Sequence, residues 1–233
     1  MRSAFSRGMS HGIPICLGYL SVSFGFGIIA VKSGLSVFQA AAVSATNLTS
    51  AGQAAGVDII SRCGAIIEMI LVQLTINIRY SLMGLSLTQK LDKSFTLPHR
   101  LAASYGITDE IFAVCSAQKE PITPPYMYGM ILVAFLGWVT GTVLGAAAGQ
   151  LLPESVSSAM GLVLYGMFLA IIVPPAKKER SVLAAVIIAA VLSILFRYVL
   201  TMVSGGFAII ISAVAASAAA AVLFPLRDEE AAE

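Results

Sequence analysis

Six stretches of this chain, at about 11–31, 63–88, 126–150, 156–174, 181–203 and 206–225, are each apolar over a length that matches a bilayer. Crossing the hydrocarbon layer takes roughly 20 mostly apolar residues wound as a helix. That dictates the class: an all-α, polytopic transmembrane helical bundle of about six full spans. Composition agrees where it matters. Only 11% of the 233 residues are charged and mean hydropathy is +0.91, whereas an average soluble domain carries about 25% charged residues to face water. The net charge of +2, held in short basic clusters between the apolar runs, gives no reason to invoke nucleic acid. The first run follows Arg2 and Arg7 but has no small-x-small cleavage site leading into a soluble domain, so it reads as a mature span. One transmembrane domain is expected over 1–226, with a short polar tail at 227–233.

Two stretches do not read as ordinary spans. Segment 36–56 is apolar enough to enter a bilayer, yet Thr46-Asn47, Thr49-Ser50 and Gly52-Gln53 interrupt it. Those residues form helix poorly or offer the backbone local hydrogen bonds. Unsatisfied backbone at such depth is tolerated only beside protein or a water-filled cavity. The segment therefore reads as a broken or re-entrant helix pair, with a single polar-faced span as the alternative. The second stretch is an interrupted helix near 104–118. Thr108 looks like an N-cap with Asp109 and Glu110 in the first turn, and Lys119-Glu120-Pro121 and Pro124-Pro125 close it.

Lysine and arginine set orientation. Basic clusters lie at Arg2 and Arg7, at Lys90, Lys93 and Arg100, and at Lys177, Lys178 and Arg180. All three reach the cytoplasmic side of an inner membrane if 36–56 returns to the side it entered. Both termini are then cytoplasmic.

Ionisable residues inside spans cost about 2.5–3.5 kcal/mol on insertion scales, so each needs a reason. Glu68, Thr75 and Arg79 share one helix face, but Glu68 and Arg79 are about 16 Å apart along it, too far for an ion pair. Each needs another partner, or Arg79 snorkels and Glu68 sits near an interface; Arg197 poses the same choice. Asn77 points to a different face from Arg79. Glycine has two uses. Gly137, Gly141, Gly145 and Gly149 recur at four-residue spacing, a small-residue face for close helix packing. The glycines of the first span, Gly25 and Gly27 among them, serve either as a hinge or as packing, and Pro14 is expected in the first helical turn. Cys16, Cys63 and Cys115 lack metal-site spacing, and His11 and His99 are too few for a His-rich site, so neither metal nor other cofactor is expected.

An amino-acid site can be built from such pieces. Interrupted helices turn free N–H groups toward a carboxylate, and amides and hydroxyls complete the cage. Asn47, Ser50, Gly52, Gln53, Asn77 and Arg79 are the substrate-binding candidates, and Asp109 and Glu110 the candidates for a coupling proton or the substrate amine. Residues of the same set carry a family likeness. Phe24-Gly25, Ala51-Gly52-Gln53, Asn77-Ile78-Arg79, Thr108-Asp109-Glu110 with Phe112, Trp138-Val139-x-Gly141-Thr142-x-x-Gly145 and Leu152-Pro153 resemble the AzlC family across about residues 8–175. The resemblance implies the large subunit of a branched-chain amino-acid exporter working with a small hydrophobic AzlD-type membrane subunit. Thr49-Ser50 stand where the family tends to have an aromatic before Ala-Gly, which leaves valine, leucine, isoleucine and methionine all open as substrates.

No Walker-type loop and no G-x-S-x-G is present, so neither ATP hydrolysis nor an intramembrane serine hydrolase is expected, and the chain reads as no enzyme. A non-transporting scaffold or assembly subunit, suggested by the glycine ladder and the alanine-rich run at 208–222, is the competing reading.

Overall fold

A computed structural model describes residues 3–149, 153, 155, 166, 169, 170 and 172–225. Among them the structure is helical, without strands beyond one isolated bridge. The span expected at 156–174 falls largely outside the described residues, and the tail at 227–233 entirely so. The helices are α1 (Ala4–Lys32), α2 (Val37–Thr46), α3 (Ser50–Ser61), α4 (Ile66–Leu87), α5 (Leu97–Ser104), α6 (Asp109–Ser116), α7 (Pro124–Ala148), α8 (Arg180–Tyr198) and α9 (Gly205–Leu223). Five are long and apolar enough to cross a membrane: α1, α4 with its 3-10 extension to Lys90, α7, α8 and α9. These are five of the six expected spans.

Two boundaries differ from expectation for a physical reason. α1 begins at Ala4, capped by the Ser3 side chain, so Pro14 lies inside the helix and not in its first turn. A proline there forfeits one backbone hydrogen bond, and the 29-residue helix carries through it. α7 instead puts Pro124 and Pro125 at its first positions, where proline's fixed φ suits the helix and its missing N–H costs little.

The chain divides into two compact units, Met1–Arg62 with Ile76–Leu164 and Cys63–Thr75 with Tyr165–Glu233. In the second, α8 and α9 pack side by side across a short connection, and the apolar side chains of α8 remain on its outer surface. Arg197 sits exposed in the last turn of α8, where its charge suits the helix dipole. Glu68 is buried, and its Oε1 accepts from Ser204 Oγ at 2.6 Å and Gly206 N at 2.9 Å, capping the start of α9.

The first unit is built on α1 and α7, which run parallel. Gly8 faces Tyr126, Gly12 faces Met130, and Gly137, Gly141 and Gly145 face Cys16, Leu20 and Phe24 in turn. At Gly145 a Cβ would collide with the Phe24 carbonyl, so the four-residue ladder is what allows the two backbones to touch. Gly149 closes the row against Ile28, and Gly27 abuts Thr142 and Ala146, so this first-span glycine is a packing residue too.

Candidate functional site

Against this seam lie two helical hairpins inserted from opposite ends. The first is α2–α3, broken at Asn47-Leu48-Thr49. Helices of 10 and 12 residues are about 15–18 Å long, near half of a hydrocarbon layer. The chain turns back rather than continuing. Near the break, Ser44 of α2 and Gln53 of α3 meet at 2.9 Å, at the level of Trp138 and Thr142 of α7. Farther from it, Ala40 and Val57 pack together with Phe26, Ala30 and Ala146. Both arms thus open toward the Ala146 end of α7. The broken segment is re-entrant, and its tip stops near the middle of the α1–α7 seam.

The second hairpin is α5–α6, broken at residues 105–108. α5 rises alongside α7, with His99 Nδ1 2.8 Å from Tyr128 Oη and the Tyr105 ring beside Phe135. α6 returns, and the Lys90 ammonium holds the Ser116 and Gln118 carbonyls at its foot. A bridge between Leu91 and Ile122 and an Arg7–Glu120 ion pair at 2.7 Å close that end. This hairpin opens toward the Arg7 end, opposite to the first.

The anchors of the two tips differ in chemistry. The first tip is held by a closed ring of neutral groups. Trp138 Nε1 donates to Gln53 Oε1 (2.8 Å), Gln53 Nε2 to Ser44 Oγ, Ser44 pairs with Thr142 Oγ1 (2.7 Å), and Thr142 Oγ1 donates to the Trp138 carbonyl (3.1 Å). All four side chains are buried, and each buried polar atom needs such a partner. Thr49 Oγ1 adds a 2.8 Å bond to Asn77 Oδ1 of α4.

The second tip is held by charge. Arg79 Nη1 of α4 meets Asp109 Oδ2 at 2.6 Å, with the two side chains 37% and 24% exposed. Arg79 also stacks on Tyr80, its guanidinium carbon 4.9 Å from the ring centroid, and Nη2 reaches the Tyr80 hydroxyl at 3.2 Å. Tyr19 Oη of α1 lies 2.5 Å from Glu110 Oε2 and 2.6 Å from Thr108 Oγ1. Its one proton goes to the carboxylate, and the Thr108 hydroxyl serves the phenolic oxygen. Thr108 is the N-cap of α6, accepting from Ile111 N, as its place before two acids predicts.

A cavity of about 180 Å³ lies between the tips, lined by Thr46, Asn47, Leu48, Thr49, Asn77, Tyr80, Ser104, Tyr105 and Ile107. That is smaller than the roughly 300–1,000 Å³ of sites for drug-sized ligands. The lining mixes amide, hydroxyl and aliphatic groups. Tyr105 Oη closes one side by donating to the Ala45 carbonyl at 2.6 Å.

Of the residues singled out in the sequence, Asn47 and Asn77 line the cavity. Ser50 follows the first tip directly, and Gly52 and Gln53 are buried behind it. Gln53 spends both ends of its amide on the ring that fastens α2–α3 to α7. Arg79 reaches the cavity through the lining Tyr80 and Asp109 reaches it through Arg79, whereas Glu110 is bonded to Tyr19, which does not line it. Glu68 is not among them; it bonds to Ser204 and Gly206 of the second unit. The sequence reading gives no site role to Tyr19, Tyr80 and Tyr105, and names Thr49 as a break in its helix and not as a site residue. The available signal was a phenol in each otherwise apolar run, since a buried hydroxyl demands a partner.

This arrangement defines a class: polytopic helical membrane proteins with half-membrane hairpins meeting at a polar cavity. The family described as AzlC protein matches residues 14–152, and the chain belongs to it. It is 33% identical over 174 residues to an uncharacterized membrane protein of Archaeoglobus fulgidus, covering 73% of this chain and 75% of that one. The Inner membrane protein YgaZ of Escherichia coli is 25% identical over 178 residues, 73% of each chain. An uncharacterized membrane protein of Helicobacter pylori is 26% identical over 151 residues, 63% of this chain and 65% of the other. No solved structure matches. The matched region contains both hairpins, α4 and the greater part of the α1–α7 seam.

Proposed function

We propose that this chain is the large subunit of a secondary transporter that exports branched-chain or other small apolar amino acids, coupled to the proton gradient. The observation that carries the reading is the cavity between two oppositely inserted hairpin tips. Discontinuous helices at the middle of a bundle leave backbone N–H and C=O groups able to receive a zwitterion, and alternating access works around such a site. Asn47, Asn77 and the Thr49 hydroxyl supply polar contacts, while Leu48 and Ile107 suit an aliphatic side chain. Arg79 is the cation for the substrate carboxylate, and Asp109 and Glu110 are the acids for its amine or for a coupling proton. In the first unit, Arg7, Lys90, Lys93, Arg100 and Lys119 lie at one end and Lys32 and Arg62 at the other. The positive-inside rule then puts the Arg7 end in the cytoplasm, with the protein in the inner membrane. A small hydrophobic AzlD-type subunit completes the exporter.

Cells loaded with valine- or leucine-containing dipeptides, with this chain and the small subunit co-expressed, should release the free amino acid faster than cells without the chain. Equal release in both would overturn the reading.

A further inference from the structure

The two hairpins are tied to the rest of the unit by different kinds of contact, and one residue ties them to each other. Ala45 lies in the last turn of α2, where a helix leaves carbonyls without an intrahelical partner. Nearby carbonyls are served from within the segment: Val43 receives the Asn47 N–H and Ala42 receives the Thr46 hydroxyl. The Ala45 carbonyl is served from the other hairpin, by Tyr105 Oη at 2.6 Å. Tyr105 stands at the break of α5–α6 and lines the cavity together with its neighbour Ser104. Its ring leans on Phe135 of α7, and the following Gly106 presses on the Ile131 side chain. Both contacts fall on side chains of α7 and not on its backbone.

The other polar anchors of the second tip centre on ionisable groups: the partly exposed Arg79–Asp109 pair, and the half-buried Glu110, which takes the proton of the buried Tyr19. The anchors of the first tip on α7 are neutral, buried and closed in a ring, and its bond to Asn77 of α4 is neutral too. A contact that a carboxylate or ammonium can compete for is the one that opens on binding. We propose that hairpin α5–α6 is the moving gate of the cavity and that Tyr105 is its latch, a positioning residue whose hydroxyl holds the gate against the fixed tip of α2–α3. Release of the latch swings the second tip from the first and opens the cavity toward the Arg7 end, where α5–α6 is rooted. Naming what passes the gate rests on the transport reading above. The gate itself does not.

The test therefore reads cavity closure without substrate. Leu48→Cys places a thiol on the half-buried part of the lining, and its modification by a water-soluble maleimide is followed by mass spectrometry of its own peptide, with Cys16, Cys63 and Cys115 left in place. Adding Tyr105→Phe removes one hydroxyl and keeps the ring. Modification at position 48 should then quicken about fivefold, the effect of one lost hydrogen bond on an opening equilibrium. Trp138→Phe, which breaks the neutral ring instead, should lower the melting temperature and leave that rate unchanged. An unaltered rate with Tyr105→Phe overturns the latch. An equal acceleration with Trp138→Phe overturns the assignment of the moving hairpin. A negative efflux experiment with a positive labelling result would remove the substrate and keep the gate.

Discussion

The two hairpins have the same plan and opposite chemistry. Each is a pair of short helices that enters from one end of the α1–α7 seam, breaks near its middle and returns. Hairpin α2–α3 is fastened by Ser44, Gln53, Trp138 and Thr142, none of which carries charge. Hairpin α5–α6 is fastened by Arg79, Asp109, Glu110 and Tyr19. A buried neutral ring is worth keeping intact, because breaking one bond strands several polar atoms in a low dielectric. A half-exposed ion pair is worth much less to stability and far more to a ligand with charges of its own. Under the proposed function, the comparison separates scaffold from working part within one repeated design.

The sharpest way to break it is Gln53→Leu. The substitution leaves the buried Trp138 N–H without its acceptor and takes a donor from Ser44 Oγ, and should cost about 2–4 kcal/mol. Thermal melting of the purified protein in detergent reads this as a large drop, and a melt like that of the parent would mean the ring does not fasten the hairpin. Asp109→Asn should do the reverse: amino-acid release falls tenfold or more while stability shifts by no more than about 1 kcal/mol, the scale of a partly exposed pair. Loss of fold along with transport would make Arg79–Asp109 structural and erase the contrast. Hydrogen exchange sharpens the same point without mutation, since backbone amides of α6 should exchange faster than those of α3 at equal depth. The smallest effect is at the caps. Thr108→Ala removes the side-chain cap of α6 and should cost about 1 kcal/mol.

Much of this plan is legible in the sequence, and the reasons it stops are physical. The spans follow from apolar length, and the two breaks follow from Thr46-Asn47 with Thr49-Ser50 and from Thr108-Asp109-Glu110. Sixteen ångströms along a helix was enough to deny Glu68 and Arg79 to one another, and each indeed has a different partner. Nothing local told that Gln53 would face Trp138, more than eighty residues on. Whether an amide lines a cavity or closes a ring depends on which helix lies opposite, and an apolar pattern leaves that undetermined. Pro14 was misplaced because the amphiphilic turn from Ala4 onward continues the helix outside the apolar run that marks the span.

The glycine-lined seam carries a consequence for how the protein is made. Partners across it, such as Gly8 and Tyr126 or Gly141 and Leu20, are separated by about 120 residues of chain. At roughly 5–20 residues per second of synthesis, α1 leaves the ribosome some 6–24 s before its counterpart exists. For that interval the nascent first helix sits in lipid with its groove unfilled. Another helix with a small-residue face can dock there in the meantime, so the order in which helices are released to the bilayer guards the assembly as much as the fit of the final pair.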